Sequence, residues 1–398
     1  MTKSKYDIVV VGAGPAGASA ARRAAEMGNE VLLVEKKREV GVPIQCGEFL
    51  PTLKEMIHLV PNAKRVQHLL KIPKRVIDNY TTHVSIFSPS GKSYTFKFDA
   101  YVLDRGRFDK WLTMEAVRRG GELQIGSEVF KVKRNDNRIF VRKGRNTLAV
   151  EADVIIVADG PYSRLTRLLG LDVKKSPYNY SFAIQFLMSN VEIDPRVVEM
   201  YFGKEYAPGG YAWIIPKGDD VANVGLGIRT PFYKTGISLR NYLRRFIEKH
   251  PVASKKLAKG KAISITGGII PVGGPIPRTF TDKALIVGDA AGQVMASNGG
   301  GIPLAVICGD IAGEVANYKL HGEHDLSLYE KTWKKEVGKE LHTSIEIRKL
   351  VDLVMQKDMF VEKAFELLGE DRIRDVVCCK LPLPLSFARK LVKKLLGN

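Results

Sequence analysis

Cysteine is scarce in this chain of 398 residues, which contains only four. They are Cys46, Cys308, Cys378 and Cys379, and no two of them have the Cys-x-x-Cys spacing. A disulfide-stapled scaffold is therefore excluded, and the spacings typical of zinc-ribbon and iron–sulfur sites are missing. We expect the adjacent pair to pack as two small apolar groups. This cysteine usage favours a reducing, cytoplasmic location.

Long apolar runs and histidine-rich segments are missing as well. No stretch of about 18 uninterrupted apolar residues occurs, so we expect no membrane-spanning helix. His321 and His324 lie close together on a polar connection, where we expect solvent exposure and predict no metal site. The hydrophobic fraction of 45% and the charged fraction of 26% exclude a disordered chain.

Acidic residues are outnumbered, with 43 Asp and Glu against 62 Lys and Arg, which gives a net charge of +19. This surplus suits a nucleic acid, an acidic ligand or an anionic membrane surface, or simply a well-solvated surface. No nucleic-acid-binding signature accompanies it, so no nucleic-acid partner is predicted. Residues 386–396 have apolar side chains on one helical face and four basic ones on the other. That pattern is typical of a peripheral membrane helix or of a terminal helix docked on the core.

The sequence instead begins with a strong nucleotide-binding pattern. A strand-like run at residues 6–11 leads into Gly-Ala-Gly-Pro-Ala-Gly at residues 12–17, and a helical pattern follows to Met27. A second apolar run, residues 31–34, ends at Glu35. This order predicts a βαβ unit that binds a dinucleotide.

Each part of this βαβ unit has a predicted role. Gly12 permits the tight turn, Gly14 lets the backbone approach a pyrophosphate, and Gly17 lets the helix pack against the strand. Glu35 accepts hydrogen bonds from ribose hydroxyls, and the helix N-terminus attracts the phosphates. The predicted nucleotide-binding residues of this segment are Gly12, Gly14, Pro15, Ala16, Gly17, Glu35 and Lys36.

Two later segments look like buried strands that end in acidic turns. Residues 153–158 lead into Asp159-Gly160, and residues 284–287 lead into Gly288-Asp289, with a helical pattern over residues 302–318. In this order after the βαβ unit, the segments resemble the flavoprotein hydroxylase superfamily. The resemblance implies that the dinucleotide is FAD.

The superfamily resemblance also implies roles for single residues. Asp289, after Gly288, would meet ribityl or ribose hydroxyls, and Ala290 would begin a helix pointed at the pyrophosphate. Asp159 and Gly160 would lie near the flavin. Arg105, in an Arg-x-x-Phe-Asp element, would approach the FAD.

A finer resemblance rests on three short elements. They are Pro-x-x-Cys-Gly-Glu at residues 43–48, Trp-x-x-Pro-Lys-Gly at residues 213–218, and Asn-Gly-Gly-Gly-Ile at residues 298–302. Together they are similar to the geranylgeranyl reductase family, and most similar to its archaeal branch that acts on digeranylgeranylglycerophospholipids. The similarity spans roughly residues 6–318. The sequence departs from many relatives at residues 295–297, where those relatives have a proline.

This family resemblance implies a reductase that saturates isoprenoid C=C bonds with a hydride from N5 of reduced flavin and a proton. Cys46, Tyr211 and ordered water are the candidate proton donors, and Cys46 also has the alternative of a structural role. The N–H groups of the glycine run could bind the flavin. The further residues predicted to contact FAD are Cys46, Gly47, Gly299, Gly300, Gly301 and Ile302. The residues predicted to contact the substrate are Tyr211, Trp213, Pro216 and Gly300.

The predicted fold is α/β. Residues 1–75, 100–172 and 264–320 form a Rossmann-like FAD-binding lobe, which is interleaved with a substrate-binding lobe. The substrate lobe comprises residues 76–99 and 173–263, is rich in aromatics, and reads as an antiparallel sheet with one apolar face. Residues 321–398 form a helical C-terminal region that caps a lipid tunnel.

Two other functions are compatible with these patterns. One is an FAD-dependent monooxygenase or halogenase, and the other is an electron-transferring flavoprotein that serves a membrane partner. Only one dinucleotide fingerprint is present, so the electron donor is either NAD(P)H that docks transiently or a reduced ferredoxin. We expect a cytoplasmic protein that associates peripherally with the inner face of the membrane.

Overall fold

The computed structural model describes residues 3–132, 138–171 and 176–381. The strands in this part are β1 Lys5–Val11, β2 Val31–Val34, β3 Phe49–Pro51, β4 Ile77–Phe87, β5 Ser93–Leu103, β6 Glu122–Gln124, β7 Glu128–Val132, β8 Arg138–Lys143, β9 Asn146–Val157, β10 Tyr180–Ser189, β11 Val197–Tyr201, β12 Tyr211–Pro216, β13 Ala222–Arg229, β14 Lys261–Pro271 and β15 Ala284–Ile286. The α-helices are α1 Pro15–Glu26, α2 Leu53–Leu59, α3 Val66–Leu69, α4 Arg105–Arg118, α5 Arg164–Leu168, α6 Leu239–Lys249, α7 Ala253–Leu257, α8 Ile302–Leu320, α9 Ser327–Val354 and α10 Asp358–Val377.

The first sheet confirms the predicted Rossmann-like lobe. Its parallel strands run in the order β6-β2-β1-β9, and β15 pairs with the C-terminal half of β9. The antiparallel strands β8 and β7 extend from the other half of β9. The apolar runs of β2 and β15 are buried throughout, as expected for parallel strands covered on both faces.

Helices α1 and α8 pack side by side on this sheet because both carry small residues. A Cβ on Gly309 would lie 2.1 Å from the carbonyl oxygen of Ala16, and one on Gly313 would lie 2.4 Å from that of Ala20. The helix axes therefore approach closely only with glycine at these positions of α8. The predicted stop after α1 is also confirmed, since Gly28 has φ +89°.

The second sheet has the order β14-β10-β13-β12-β11-β4-β5-β3. Its neighbours are antiparallel except β4 and β11, which are parallel because a long connection separates them. Three strands depart from the predicted lobe boundaries. The boundaries at residues 99 and 263 fall inside β5 and β14, and β3 pairs with β5 although residues 1–75 were assigned to the other lobe.

The prediction that this second sheet has one apolar face was wrong, because each of its faces packs against a buried apolar cluster. On one face, Tyr201 stacks on Phe87 at 4.5 Å and meets Phe246 of α6 edge-on at 5.2 Å. On the other face, Phe202 and Tyr211 lie 5.7 Å apart in a second apolar cluster that includes α10. The aromatic run of the sequence therefore serves two separate cores.

The predicted helical C-terminal region is formed by α9 and α10, and α10 is interrupted at Gly369, which has φ +65°. Among the described residues, none of the helices has both the length and the apolar character needed to cross a bilayer. The amphipathic segment at residues 386–396 lies outside the described residues, so its alternatives stay predictions. Cys378 and Cys379 are buried, as predicted.

Candidate functional site: a cofactor cradle beside an apolar cavity

The loop between β1 and α1 is shaped by two glycines that have no room for a side chain. Gly12 has φ +101°, and a Cβ there would lie 2.3 Å from the carbonyl oxygen of Ala158. A Cβ on Gly17 would lie 1.8 Å from the carbonyl oxygen of Gly12. Both glycines are thus needed to bring helix and strand together, with or without a ligand.

Gly14, between these two, is different. A Cβ at Gly14 would meet no atom of the described chain within 4 Å, and its φ of −71° is open to any residue. Gly14 lines a cavity of about 690 Å³ at the carboxyl ends of β1, β2 and β9. Gly160, with φ +86°, lines the same cavity with similar free space. The absence of side chains here leaves backbone open to a ligand.

Glu35 fixes the glycine loop against the end of β2. It is 8% exposed, and its carboxylate accepts hydrogen bonds from the backbone N–H of Ala13 at 2.7 Å and of Lys37 at 2.8 Å. The next residue, Lys36, lines the cavity. Glu35 therefore lies where a ribose is expected, with carboxylate lone pairs still free to accept a hydroxyl.

Two further acids face this cavity, and their polar atoms fit the hydroxyls of FAD. Oδ1 of Asp159 is buried without a hydrogen-bond partner among the described residues. Burial raises the pKa of Asp159, and it raises the pKa of Asp289 to about 6, with Arg105 opposing the second shift. Buried polar atoms rarely stay unpaired, so Oδ1 of Asp159 points to a polar ligand. Together with the free space at Gly14, the two acids make the cavity suitable for FAD. This cavity of about 690 Å³, lined by Gly14, Glu35, Asp159 and Asp289 among others, is called the cofactor cradle below.

The segment after Asp289 differs from the expected helix. Residues Gly288–Ala291 form a single 3₁₀ turn, which ends at Gly292 with φ +71°, so Ala290 does not begin an α-helix. The long helix α8 starts only at Ile302. A Cβ on Gly301, just before α8, would lie 3.6 Å from Oδ1 of Asp289.

Two of the glycines before α8 donate their backbone N–H groups to residues of the same loop. The N–H of Gly299 is donated to the carbonyl oxygen of Met295, and that of Gly300 to Oδ1 of Asn298, both at 2.8 Å. Gly299 has φ +75°, which favours glycine. In this conformation, the expected hydrogen bonds from these two N–H groups to the flavin are replaced by internal ones.

The loop that carries Cys46 lies at the cavity wall beside Arg105. The Sγ atom of Cys46 accepts the backbone N–H of Glu48 at 3.1 Å. Arg105, at the start of α4, pairs with Asp109 at 3.0 Å. Burial alone would lower the pKa of Arg105, but Asp109 and Cys46 outweigh it, so its pKa is raised and the guanidinium stays charged. The structure thus brings Cys46, Arg105 and Asp289 together.

Glu48 joins two of the sequence elements, and its role was missed in the sequence. Its carboxylate accepts Lys217 Nζ at 2.5 Å, Asn223 Nδ2 at 2.7 Å and the backbone N–H of Arg105 at 2.8 Å. Burial alone would lower the pKa of Lys217, but Glu48 and Asp78 raise it. The available signal was the presence of an acid in one element and a lysine in the other, next to apolar residues that predict burial.

A second cavity, of about 240 Å³, lies between the sheet and the helices α9 and α10. Its wall is largely apolar, and Tyr211 and Trp213 of β12 belong to it. Trp213 and Ile270 line both cavities, so the two meet there. The Trp213 indole N–H is donated to Gln185 at 3.2 Å, and Gln185 in turn holds the carbonyl oxygen of Cys46 at 2.8 Å.

Tyr211 lies within the apolar cavity rather than the cradle. Its hydroxyl is donated to the carbonyl oxygen of Asn298 at 2.6 Å, and burial raises the pKa of Tyr211 to about 12. Two predicted substrate contacts are placed elsewhere. In the described parts of the chain, Pro216 and Gly300 are outside the linings of both cavities.

The glycine loop, the buried acids and the sheet order define a flavin-dependent oxidoreductase fold. Sequence profiles agree: a pyridine nucleotide-disulphide oxidoreductase profile matches residues 6–185, and a geranylgeranyl reductase catalytic domain profile matches residues 179–270. The chain is 37% identical to a digeranylgeranylglycerophospholipid reductase of Methanocaldococcus jannaschii, over 92% of this chain and 91% of that protein. It therefore belongs to the geranylgeranyl reductase family.

Other relatives and solved structures agree with this assignment. A digeranylgeranylglycerophospholipid reductase of Methanopyrus kandleri is 33% identical over 98% of this chain and all of that protein. The structure of a geranylgeranyl bacteriochlorophyll reductase-like protein from Thermoplasma acidophilum superposes with a TM-score of 0.82 at 28% identity, covering 99% and 97% of the two chains. A flavin-dependent brominase, at 17% identity with a TM-score of 0.72, covers 98% of each chain and shows the shared fold only.

Proposed function

We propose that this protein is an FAD-dependent reductase that saturates isoprenoid C=C bonds in the geranylgeranyl chains of archaeal-type membrane lipids. The observation that carries the proposal is the meeting of the cofactor cradle and the apolar cavity at Trp213 and Ile270. A hydrocarbon chain in the apolar cavity would reach the cradle at this point. The named relatives act on the same class of lipid.

The cofactor is FAD, which in its reduced form supplies a hydride to one alkene carbon. Gly14 would leave space for the pyrophosphate, and Glu35 and Asp159 would accept hydroxyl groups. Arg105 stays charged beside Asp289 and Asp109, and would balance negative charge that develops at the cofactor. The fold of the glycine loop itself does not depend on the ligand, since Gly12 and Gly17 pack against backbone.

Cys46 is our preferred donor of the proton to the other alkene carbon. Cys46 lines the cradle, where its Sγ accepts the N–H of Glu48 and where Arg105 lies beside it. Tyr211 is less suited to this step, because its hydroxyl is already donated to Asn298 and burial raises its pKa to about 12. In this proposal, Tyr211 and Trp213 form part of the wall of the apolar cavity.

The apolar cavity binds the hydrocarbon and excludes water from it. Burial contributes about 0.8 kcal/mol for each CH₂ group, so a long isoprenoid chain needs few polar contacts for affinity. Excluding water also protects the reduced cofactor and the proton donor from side reactions.

A substrate in the membrane also implies that the protein works at the cytoplasmic face of the bilayer. Two observations support this part of the proposal. The net charge is +19, which favours an anionic surface. Exposed apolar side chains, Leu353, Met359 and Leu367, lie on α9 and α10, and Leu367 also lines the lipid cavity. The electrons would come from NAD(P)H or from a reduced ferredoxin.

Product analysis under anaerobic conditions tests the proposed function. Dithionite-reduced holoenzyme is mixed with a geranylgeranyl phospholipid, and the lipid is analysed by mass spectrometry. We expect a gain of two hydrogen atoms for each reduced bond, and none in a parallel reaction with Gly14→Val protein that lacks flavin. A lipid of unchanged mass in the wild-type reaction would refute the proposal.

A further inference from the structure

The apolar cavity has one strongly charged wall that the proposed reaction does not use. Arg229, on β13, is 5% exposed, and Arg348, on α9, is 9% exposed. Both line the cavity together with Asp352. Two buried guanidinium groups in an otherwise largely apolar wall need hydrogen-bond acceptors or negative charges to compensate them.

Within the described residues, such partners are present for Arg229 and only in part for Arg348. Arg229 contacts both carboxylate oxygens of Asp352, from Nε at 3.2 Å and from Nη2 at 3.1 Å, and also donates to the carbonyl oxygens of Tyr178 at 2.8 Å and Tyr180 at 3.0 Å. Arg348 donates one hydrogen bond, from Nη1 to the carbonyl oxygen of Tyr178, at 2.6 Å. Its Nε–H is buried and has no hydrogen-bond acceptor among the described residues.

The local charges leave a positive surplus. Asp352 is already held by Arg229, and Glu346, the other acid near Arg348, is paired with the exposed Lys349 at 2.6 Å. Burial and the neighbouring Arg229 lower the pKa of Arg348, while Asp352 and Glu346 oppose that shift. An anion between the two arginines would relieve their repulsion and accept the free N–H.

The arginine wall lies at a definite distance from the cradle. Trp213 pairs across the sheet with Gly225, and Tyr211 pairs with Gly227. Alternate residues of a strand face the same side, so Gly225, Gly227 and Arg229 share the cavity face. Arg229 is four residues beyond Gly225, or about 14 Å at roughly 3.4 Å per residue.

We propose that Arg229 and Arg348 bind the phosphate group of the lipid substrate, while its isoprenoid chain extends along β13 towards Trp213. Arg guanidinium groups match phosphate oxygens in geometry as well as charge. The proposal rests on the proposed function and adds a headgroup preference: phosphorylated lipids bind better than neutral diethers with the same chains. Arg348 is the more informative residue, because Arg229 also links β13 to Asp352.

A binding experiment with oxidised holoenzyme tests this without turnover. Tryptophan fluorescence is titrated with digeranylgeranylglyceryl phosphate and, separately, with digeranylgeranylglycerol, which has the same chains and no phosphate. Arg348→Gln removes the free N–H and the charge, and Arg348→Lys keeps the charge. Lys335→Gln is the control, since Lys335 is exposed on the same helix and outside the cavity lining.

We expect Arg348→Gln to weaken binding of the phosphorylated lipid about tenfold, which is the scale of one charge-assisted hydrogen bond, and that of the neutral diether by less than about twofold. Arg348→Lys should recover part of the loss, and Lys335→Gln should bind both lipids as the wild type does. Equal wild-type affinity for the two lipids, or an equal loss for both in Arg348→Gln, would overturn the proposal. The comparison of the two lipids with the wild-type protein tests the headgroup preference even if a variant fails to fold.

Two further measurements distinguish a lipid phosphate from a free anion, and lipid binding from lipid reduction. In the first, inorganic phosphate is titrated alone. If it changes the fluorescence while the two lipids bind equally well, the arginines bind a free anion, and the proposed role in headgroup binding is overturned. Wild-type holoenzyme is also assayed for reduction of both lipids. Failure to reduce either lipid while the phosphorylated one binds more tightly would refute the proposed reaction and leave the phosphate site supported.

Discussion

The cofactor cradle takes its shape from backbone, whereas the apolar cavity takes its shape from side chains. In the cradle, Gly12 and Gly17 press against main-chain atoms within one βαβ unit, and Gly14 keeps space free for a ligand. In the cavity, Trp213 faces helices more than 100 residues further along the chain. Each of these glycines of the cradle therefore serves either folding or ligand binding. A side chain that lines the apolar cavity contributes to the packing of the fold and to the shape of the cavity.

The two regions are joined by a polar network rather than by packing alone. Gln185 connects the Trp213 indole to the loop of Cys46, and Glu48 connects the same loop to Lys217. Glu48 has φ +68°, a conformation that non-glycine residues adopt rarely. The network thus connects the Cys46 loop, on the wall of the cofactor cradle, to the strands that line the apolar cavity.

Gly17 and Gly14, in the same glycine-rich segment, are expected to differ most clearly in their effects on folding and on flavin binding. Gly17→Val should abolish folding, because its Cβ would lie 1.8 Å from the carbonyl oxygen of Gly12. Gly14→Val should fold with a loss of at most about 1 kcal/mol, the cost of a poor N-cap residue, and should lose the flavin. Circular-dichroism melting and flavin absorbance of the purified proteins distinguish the two. Full flavin occupancy in Gly14→Val would contradict the assignment of the cradle.

The polar network should account for the next largest effect. Glu48→Ala leaves Lys217 without its closest partner, and breaking a buried ion pair costs about 3–5 kcal/mol. Glu30→Ala is the control, because Glu30 pairs with Lys3 at an exposed site, where water and salt screen the pair and its contribution to stability is small. Denaturant unfolding measures both losses. Similar losses in the two variants would mean that the Glu48 network is not a structural link.

The pH dependence of the apoprotein tests the environment of Asp289. Its pKa is about 6 in the folded state against 3.8 as the ordinary value, so the folded state holds the extra proton between these two values. Stability should therefore fall by up to about 3 kcal/mol as pH rises from about 4 to about 6. Asp289→Asn should remove this component, so the difference between the two unfolding curves isolates it. A pH-independent difference would show that Asp289 is not buried as described.

Cys46 should produce a smaller, purely catalytic effect. We expect Cys46→Ala and Cys46→Ser to retain FAD and to reduce the lipid at least about tenfold more slowly, the lower range for a general acid. Cys308→Ala is the matched control, because Cys308 is a buried thiol of α8 outside the linings of both cavities within the described chain. Turnover that is unchanged in both Cys46 variants would reduce this residue to a packing role.

The βαβ unit of the cradle could be predicted from the sequence because its signals are local. The bounds of β2 matched the prediction, and the start of α8 at Ile302 followed from the pattern of residues 302–318. The helix expected at Ala290 was wrong, because Gly292 adopts a left-handed conformation and ends the turn after four residues. Local apolar patterning did not reveal that positive φ.

The cavity could be predicted only in outline, because its walls meet through long-range pairing. The aromatic residues of the second lobe were predicted to share one face of the sheet. Tyr201, the last residue of β11, and Phe202, which follows it, instead belong to apolar clusters on opposite faces, because successive residues of an extended chain point in opposite directions. The role of Arg348 had no sequence signal, since a basic residue in the middle of a charged helix is normally solvated. Arg229, the second arginine of the proposed phosphate site, lies 119 positions earlier, on β13.

Anaerobic stopped-flow absorbance measures whether a lipid bound in the apolar cavity reaches the cofactor cradle. Dithionite-free reduced holoenzyme is mixed with a geranylgeranyl phospholipid, and the return of oxidised flavin is compared with the double bonds lost. We predict one double bond reduced for each flavin reoxidised, with no reoxidation by a fully saturated lipid. Flavin that stays reduced in the presence of bound geranylgeranyl lipid would contradict the account.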